Sequence, residues 1–256
     1  MAENLEDKIL KWINKEGYPL EMKASQILRK IGFEVGQSIY YLDNESQDSR
    51  EIDIVAYKYY KVSNDWVTFS FVIECKSSND KPWVTFSAKE ERLYANDFVI
   101  YRDANHWGQE ILRGLAVEEK IRNLSLFKLN ERTAYSTVRA FSEGADMTFK
   151  AIKSVTKATL ALVDKGNKTN SYRFFFPIIL IDGRLFDCHL DSHDEQVLTE
   201  LDGVKLVQST SNDNKRVSIL DIMTLNGFEE RMSHYMREID FIVEEYEKLI
   251  TEHPLF

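Results

Sequence analysis

Cysteine is nearly missing from this chain: 256 residues hold two, Cys75 and Cys188. Standing so far apart, they exclude a disulfide framework and any paired-cysteine zinc knuckle, and reduced thiols are the expectation. Glycine is scarce as well, ten in all, with no two closer than Gly32 and Gly36. No GxG and no GxxxxGK therefore occurs, which excludes the dinucleotide cradles and phosphate loops that need backbone N–H groups close to phosphate. GxSxG is absent too, and with it the hydrolase nucleophile elbow. The longest apolar run, Phe174 to Ile181, is broken by Pro177 and is too short to cross a bilayer, so no membrane partner is expected. The first sixteen residues are charged throughout and lack the apolar stretch and small-residue site of a secretory signal, which points to a cytoplasmic protein.

What is present is enough for a core. A hydrophobic fraction of 43% against 29% charged excludes both a disordered chain and a coiled-coil rod. Two amphipathic helices open the chain, one capped by Asn4 and running to Glu16, the next starting near Pro19 and stopping at Gly32. Leu20, Ala24, Ile27, Leu28 and Ile31 form the apolar stripe of the second, with Glu21 at its edge, where it can look into a cleft. Phe33 to Leu42, Glu51 to Tyr60 and Trp66 to Ser77 read as three strands whose short links give a meander. A helix is expected from Gln109 to Ile121 and a longer one from Tyr135 to Val163. The strand Tyr172 to Ile181 and the segment Arg184 to Leu190 are separated by Asp182 and Gly183, a hairpin signal. Strands at Val204 to Gln208 and Val217 to Ile222 lead into a final helix from Leu225 to Thr251. The whole predicts one α/β domain over residues 1–256, a mixed central sheet flanked by helices, with strand and helix additions after about residue 181.

The chemistry gathers in the second and third strands. In TFSFVIECK, alternation sends Phe69, Phe71, Ile73 and Cys75 one way and Ser70, Val72, Glu74 and Lys76 the other, so an apolar strand ends in a paired acid and base. In the strand before it, Ile52, Ile54 and Ala56 share one face, and Glu51, Asp53 and Val55 the opposite one. An antiparallel pairing brings Asp53 close to Glu74. Two unit charges about 5 Å apart at an effective dielectric near 20 repel by roughly 3 kcal/mol, so such a cluster calls for a cation. A hard divalent ion such as Mg²⁺, with Mn²⁺ as substitute, prefers carboxylate oxygens and keeps waters.

These residues carry a resemblance. Glu21 in a helix, Asp53 in EIDIVAY and Glu74-Cys75-Lys76 in VIECKSS, in the order helix, strand, strand, strand, resemble the PD-(D/E)XK nuclease superfamily, in particular its Mrr-like branch. The likeness covers about the first third of the chain, and Ile52 stands where the family has a proline. It implies a restriction-endonuclease-like fold with a catalytic core over about residues 1–181. It also implies a Mg²⁺-dependent endonuclease that cuts DNA in restriction or anti-phage defence, with RNA left open as substrate. Asp53 and Glu74 would be metal ligands, Glu21 an accessory acid that also faces the metal, and Lys76 the base that positions the attacking water. The rival function is a nuclease-fold protein that binds nucleic acid or a partner without cutting, as a subunit of a defence system. The plain structural alternative is a surface ladder of salt bridges, and Glu51 competes with Asp53 for the metal.

Other patterns are weighed beside it. Lys150, Lys153 and Lys157 fall on one helical face, in a stretch that goes on through Lys165, Lys168 and Arg173, and could neutralise phosphates or be merely solvated. Cys188, His189, Asp191, His193 and Asp194 hold metal-ligating chemistry at a spacing that fits no common pattern. Cys75 alternates inward as core. Trp83 and Phe86 could stack bases or fill the interior. Met232, Met236, Ile239, Val243, Tyr246 and Ile250 form a stripe that packs on its own domain or on a second subunit, as cutting both strands of a duplex would favour a homodimer.

Overall fold

In the computed structural model, residues 4–78, 81–89, 102–142, 147–210 and 216–252 are described. Helices α1 (Leu5–Glu16) and α2 (Tyr18–Ile31) open the chain. Asn4 caps α1 by accepting the Asp7 N–H at 2.8 Å, and Gly17 turns the chain between the two helices at φ +88°. Strands β1 (Glu34–Leu42), β2 (Ser49–Val62) and β3 (Asp65–Lys76) form the expected antiparallel meander. Then come β4 (Trp83–Ala88), β5 (Asp103–Ala104), α3 (His106–Leu115), α4 (Glu119–Arg122), β6 (Thr133–Arg139) and α5 (Met147–Gly166). The chain goes on through β7 (Tyr172–Ile181), β8 (Leu185–Leu190), β9 (Gln196–Leu201), β10 (Gly203–Thr210), β11 (Arg216–Thr224) and α6 (Leu225–Glu252).

All the described strands join one mixed sheet, in the order β1-β2-β3-β7-β11-β10-β6-β4-β8-β9, with β5 beside β7. Helices flank it. On one face α2, α3 and α6 bring Leu20, Leu28, Leu112, Met232 and Ile239 onto Phe69, Phe71, Ile73 and Cys75 of β3. On the other, α5 lays Ala151, Val155 and Ala158 over Val72, Phe175, Ile179 and Ile181. Strands β3 and β7 are covered on both sides, which is why they read as nearly unbroken apolar runs. Pro177 stands inside β7 where the neighbour on one edge changes from β5, paired at Phe174 and Phe175, to β11, paired from Ile178 onward. A residue without an N–H fits at that switch, where a ladder bond lapses in any case.

Several expectations need correction. Residues from Tyr135 to Arg139 are not helical: they lie in β6 and pair with β4, because β-branched Thr133, Thr137 and Val138 fit the pleat and a partner strand waits there. The helix expected at Gln109–Ile121 starts three residues earlier, on an Asn105 cap, and stops at Leu115. Asp182 and Gly183 make no hairpin: β8 leaves β7 and pairs in parallel with β4. The segment after residue 181 is no appendage of the sheet, since β11 pairs with β7 at its centre and α6 fills the first core. The stripe of α6 is used there too, with Met232, Met236, Ile239 and Val243 buried and Tyr246 packed against the same core. No described helix is long and apolar enough to cross a membrane.

Candidate functional site

The site lies where β2 begins and β3 ends. Register pairs Ile54 with Ile73, which places Asp53 next to Glu74. The alternation of β2 does not run straight through. Ile52 joins Val55 in the core under α5, while Ile54 and Ala56 lie in the opposite core, so the strand turns over at Asp53. This corrects the expected grouping of Ile52 with Ile54 and Ala56. Facing this point in β1, Ser38, between the partners of Ile52 and Ile54, takes a left-handed φ of +50°. Asp53 is turned under the end of β3, and its Oδ2 accepts the Cys75 N–H at 2.7 Å.

Glu74 is buried on the α5 side. Its Oε1 accepts from Lys76 Nζ at 2.5 Å and its Oε2 from Ser154 Oγ, on α5, at 2.9 Å. Glu21 comes from the first turn of α2, which is brought up to this edge because the Gly17 turn packs beside Ser77. Glu51 also faces the group electrostatically, with its carboxylate accepting from the Tyr40 hydroxyl. Just past the site, Asp182 accepts from Ser77 Oγ at 2.9 Å and Ser78 N–H at 2.6 Å, fixing the exit of β3. Gly183 is needed there, because a Cβ would run into the Ser78 carbonyl.

The charges are out of balance. Burial, followed by Asp53 and Glu51, pushes the Glu21 carboxyl up to about 7. Asp53 is raised by burial against the opposing pull of the Cys75 N–H and Lys76, and Glu74 is raised by burial and by Asp53 against the pull of Lys76. Burial works against the Lys76 ammonium, yet the pairing with Glu74 outweighs it and holds the proton more firmly than usual. The Cys75 thiol is pushed far up by burial and by the same acids, which leaves it a core side chain and no nucleophile.

In their chemistry, oxygen-only donors such as Asp53, Glu74 and Glu21 are of the kind that a hard divalent cation such as Mg²⁺ or Mn²⁺ takes, and they are the residues that could hold one. Among the described residues, no three or more His, Cys, Asp or Glu side chains are drawn together closely enough to hold a metal ion as they stand.

The remaining candidates separate. Lys150 and Lys153 are exposed on α5, with Lys150 one turn before Ser154. Lys157 is not free for phosphate: its Nζ lies 2.9 Å from Asp43 Oδ2 and 2.6 Å from Glu45 Oε2. Hydrogen bonding from Lys157 holds the Asp43 carboxyl well below its ordinary range. Trp83 is wholly buried and so cannot stack on a base, while Phe86 borders a cleft with Cys188 and His189. The residues around Cys188, whose spacing fits no common ligand pattern, form no metal-holding group among the described residues and make a strand end and a polar turn. Asp191 Oδ1 accepts the His193 and Glu195 N–H groups in a turn, and His189 Nδ1 lies 3.5 Å from Asp187 Oδ2.

Ser154 and Asp182 escaped the sequence reading. The first had a faint signal, a hydroxyl bordering the apolar face of α5; the second was taken up by its Asp-Gly pair. Compared with family models, with curated proteins and with solved structures, the chain matches none.

Proposed function

We propose that this protein is a metal-dependent endonuclease with a restriction-endonuclease-like fold of the PD-(D/E)XK kind, hydrolysing DNA phosphodiester bonds in restriction or anti-phage defence. The observation that carries the reading is the convergence of Glu21, Asp53, Glu74 and Lys76 from α2, β2 and β3, with the three carboxyls all raised above their ordinary range. A bound divalent ion supplies charge stabilisation at the scissile phosphate and a water of lowered pKa. Asp53 and Glu74 hold that ion, Glu21 assists, and the Cys75 N–H and Ser154 hydroxyl keep the two ligands oriented. Lys76, whose Nζ lies 2.5 Å from Glu74 Oε1, stands beside the ligands, where it would position the attacking water and counter the charge that develops on the phosphate oxygens. Lys150 and Lys153 neutralise backbone phosphates beyond the site.

A second reading, a nuclease-fold subunit that binds without cutting, draws on the closed state of Glu74, both of whose oxygens are already engaged. Supercoiled plasmid incubated with Mg²⁺ or Mn²⁺ separates the two. Nicking by the wild type and none by Asp53→Ala is expected. A wild type inert with either ion, on DNA and on RNA, sinks the nuclease reading.

A further inference from the structure

Across the sheet from the carboxylates, a cleft of about 310 Å³ opens between β10, β11, α6 and the segment from Asn123 to Glu131. Its wall is tied down before any ligand arrives. Glu238 of α6 accepts the Ser125 N–H at 2.6 Å and the Leu126 N–H at 2.8 Å, and Arg102 Nε donates to the Leu126 carbonyl at 2.8 Å. At the floor, Lys205 is 6% exposed, its Nζ donating to Asp221 Oδ1 at 2.7 Å and to Tyr235 Oη at 3.0 Å. An ammonium has three N–H groups, so one is left for a ligand. Lys128 and Arg231 line the same cleft.

Of the two acids that also line it, Asp221 meets Lys205 through Oδ1 while its Oδ2 has only Arg102 at 3.7 Å, and Glu131 pairs with Lys89. In a chain of net charge −9, the cations lining this cleft, Lys128, Lys205 and Arg231, outnumber its acids. Leu129, Val204 and Met223 add apolar surface to its lining. A duplex cannot enter a space of this volume, whereas a small molecule with a flat ring and a phosphate can.

We propose that this cleft binds a phosphorylated small molecule of nucleotide size, its phosphate held by Lys205, Arg231 and Lys128. The assignment is independent of the nuclease reading, since it shares no residue with the carboxylate site. A backbone phosphate of a nucleic acid lying across the rim is the competing source, and the experiment separates the two.

The full-length protein is titrated calorimetrically in EDTA with adenosine diphosphate, inorganic pyrophosphate and a 20-base-pair duplex. Both small probes are expected to bind, at least tenfold more weakly to Arg231→Ala and about threefold more weakly to Lys128→Ala, with Asp53→Ala unaffected. Lys205→Met should abolish binding. As that change strands Asp221 and can unfold the protein, the two rim variants decide the matter. Failure of both small probes to bind the wild type overturns the proposal, as does unchanged binding in Arg231→Ala and Lys128→Ala together. Displacement of the diphosphate by the duplex, with the same rim variants losing duplex binding, overturns it in favour of a backbone groove.

Discussion

Two groups of charge lie on this sheet and are composed in opposite ways. At the ends of β2 and β3, four acids, Glu21, Glu51, Asp53 and Glu74, share one cation, Lys76, and three of the carboxyls are pushed upward. Between β10, β11 and α6, one acid, Asp221, faces Lys205 and Arg102. There the two cations outweigh burial and hold its carboxyl below the ordinary range. Burial lowers the Lys205 ammonium to about 8, which still leaves it charged at neutral pH. In the second group Asp221 Oδ1 accepts from both Lys205 and Tyr235, so the folded state depends on that acid. The first carries an excess of negative charge that folding alone does not satisfy, the feature on which the proposed metal site rests.

That contrast breaks most sharply at Asp221. Replacing it with Ala leaves Lys205 and Arg102 buried without a counter-charge, and a loss of about 3–5 kcal/mol is expected in urea unfolding. Asp53→Asn, measured beside it in EDTA, should cost less than about 1 kcal/mol or stabilise, since the amide oxygen still accepts the Cys75 N–H and a repulsive charge is gone. Equal losses at the two positions would erase the distinction.

Next in size is Lys76→Ala. Cleavage should fall by a factor on the order of 10² or more, with calorimetric Mg²⁺ or Mn²⁺ affinity held or improved because a positive charge beside the ion is removed. Asp53→Ala should lose both. Wild-type cleavage by Lys76→Ala would take the lysine out of the mechanism.

A smaller effect follows pH. Glu21 gives up its proton near 7 in the folded chain and near 4.5 when unfolded, so the folded state holds the extra proton between those values. Its contribution to stability is complete below pH 4.5 and lost as pH rises through 7. In EDTA the melting temperature should decline across that window, and Glu21→Gln should flatten the decline. An identical pH profile in the variant would mean that Glu21 sits outside the charge cluster.

Least of all, Lys150→Ala with Lys153→Ala should leave stability nearly unchanged and reduce the salt slope of DNA binding by about 2. Lys157→Ala belongs to another class, because it leaves the buried Asp43 with Arg50 as its remaining cation and should cost stability without changing that slope. A salt slope unmoved by the double variant would make Lys150 and Lys153 solvated surface only.

The parts that the chain announced in advance are those with local causes. Asn4, Gly17, Pro19 and Gly32 punctuate α1 and α2 by backbone rules that need no tertiary partner. The alternation of β3 and the short turns around it dictate the meander. Polar residues at the ends of apolar strands made Asp53, Glu74 and Lys76 legible, and Glu21 followed from its place on the edge of a stripe.

Decisions that depend on distant segments were not legible. Tyr135 to Arg139 carries a pattern that suits either helix or strand, and the free edge of β4 chose. The turn-over at Asp53 faces a left-handed Ser38, fifteen residues earlier in the chain but on the neighbouring strand. Lys157 reads as one more cation on a helix face until Asp43 is placed beneath it. Ser154 becomes a partner of Glu74, and Lys205 the floor of a cleft, only once α5 and α6 lie on their faces of the sheet. Sequence by itself determined which side chains end each strand, because hydrophobic period and turn chemistry act over a few residues. Tertiary structure alone decided which charges meet, because only the packing of distant segments sets the burial and the neighbours that fix the free energy of a charge.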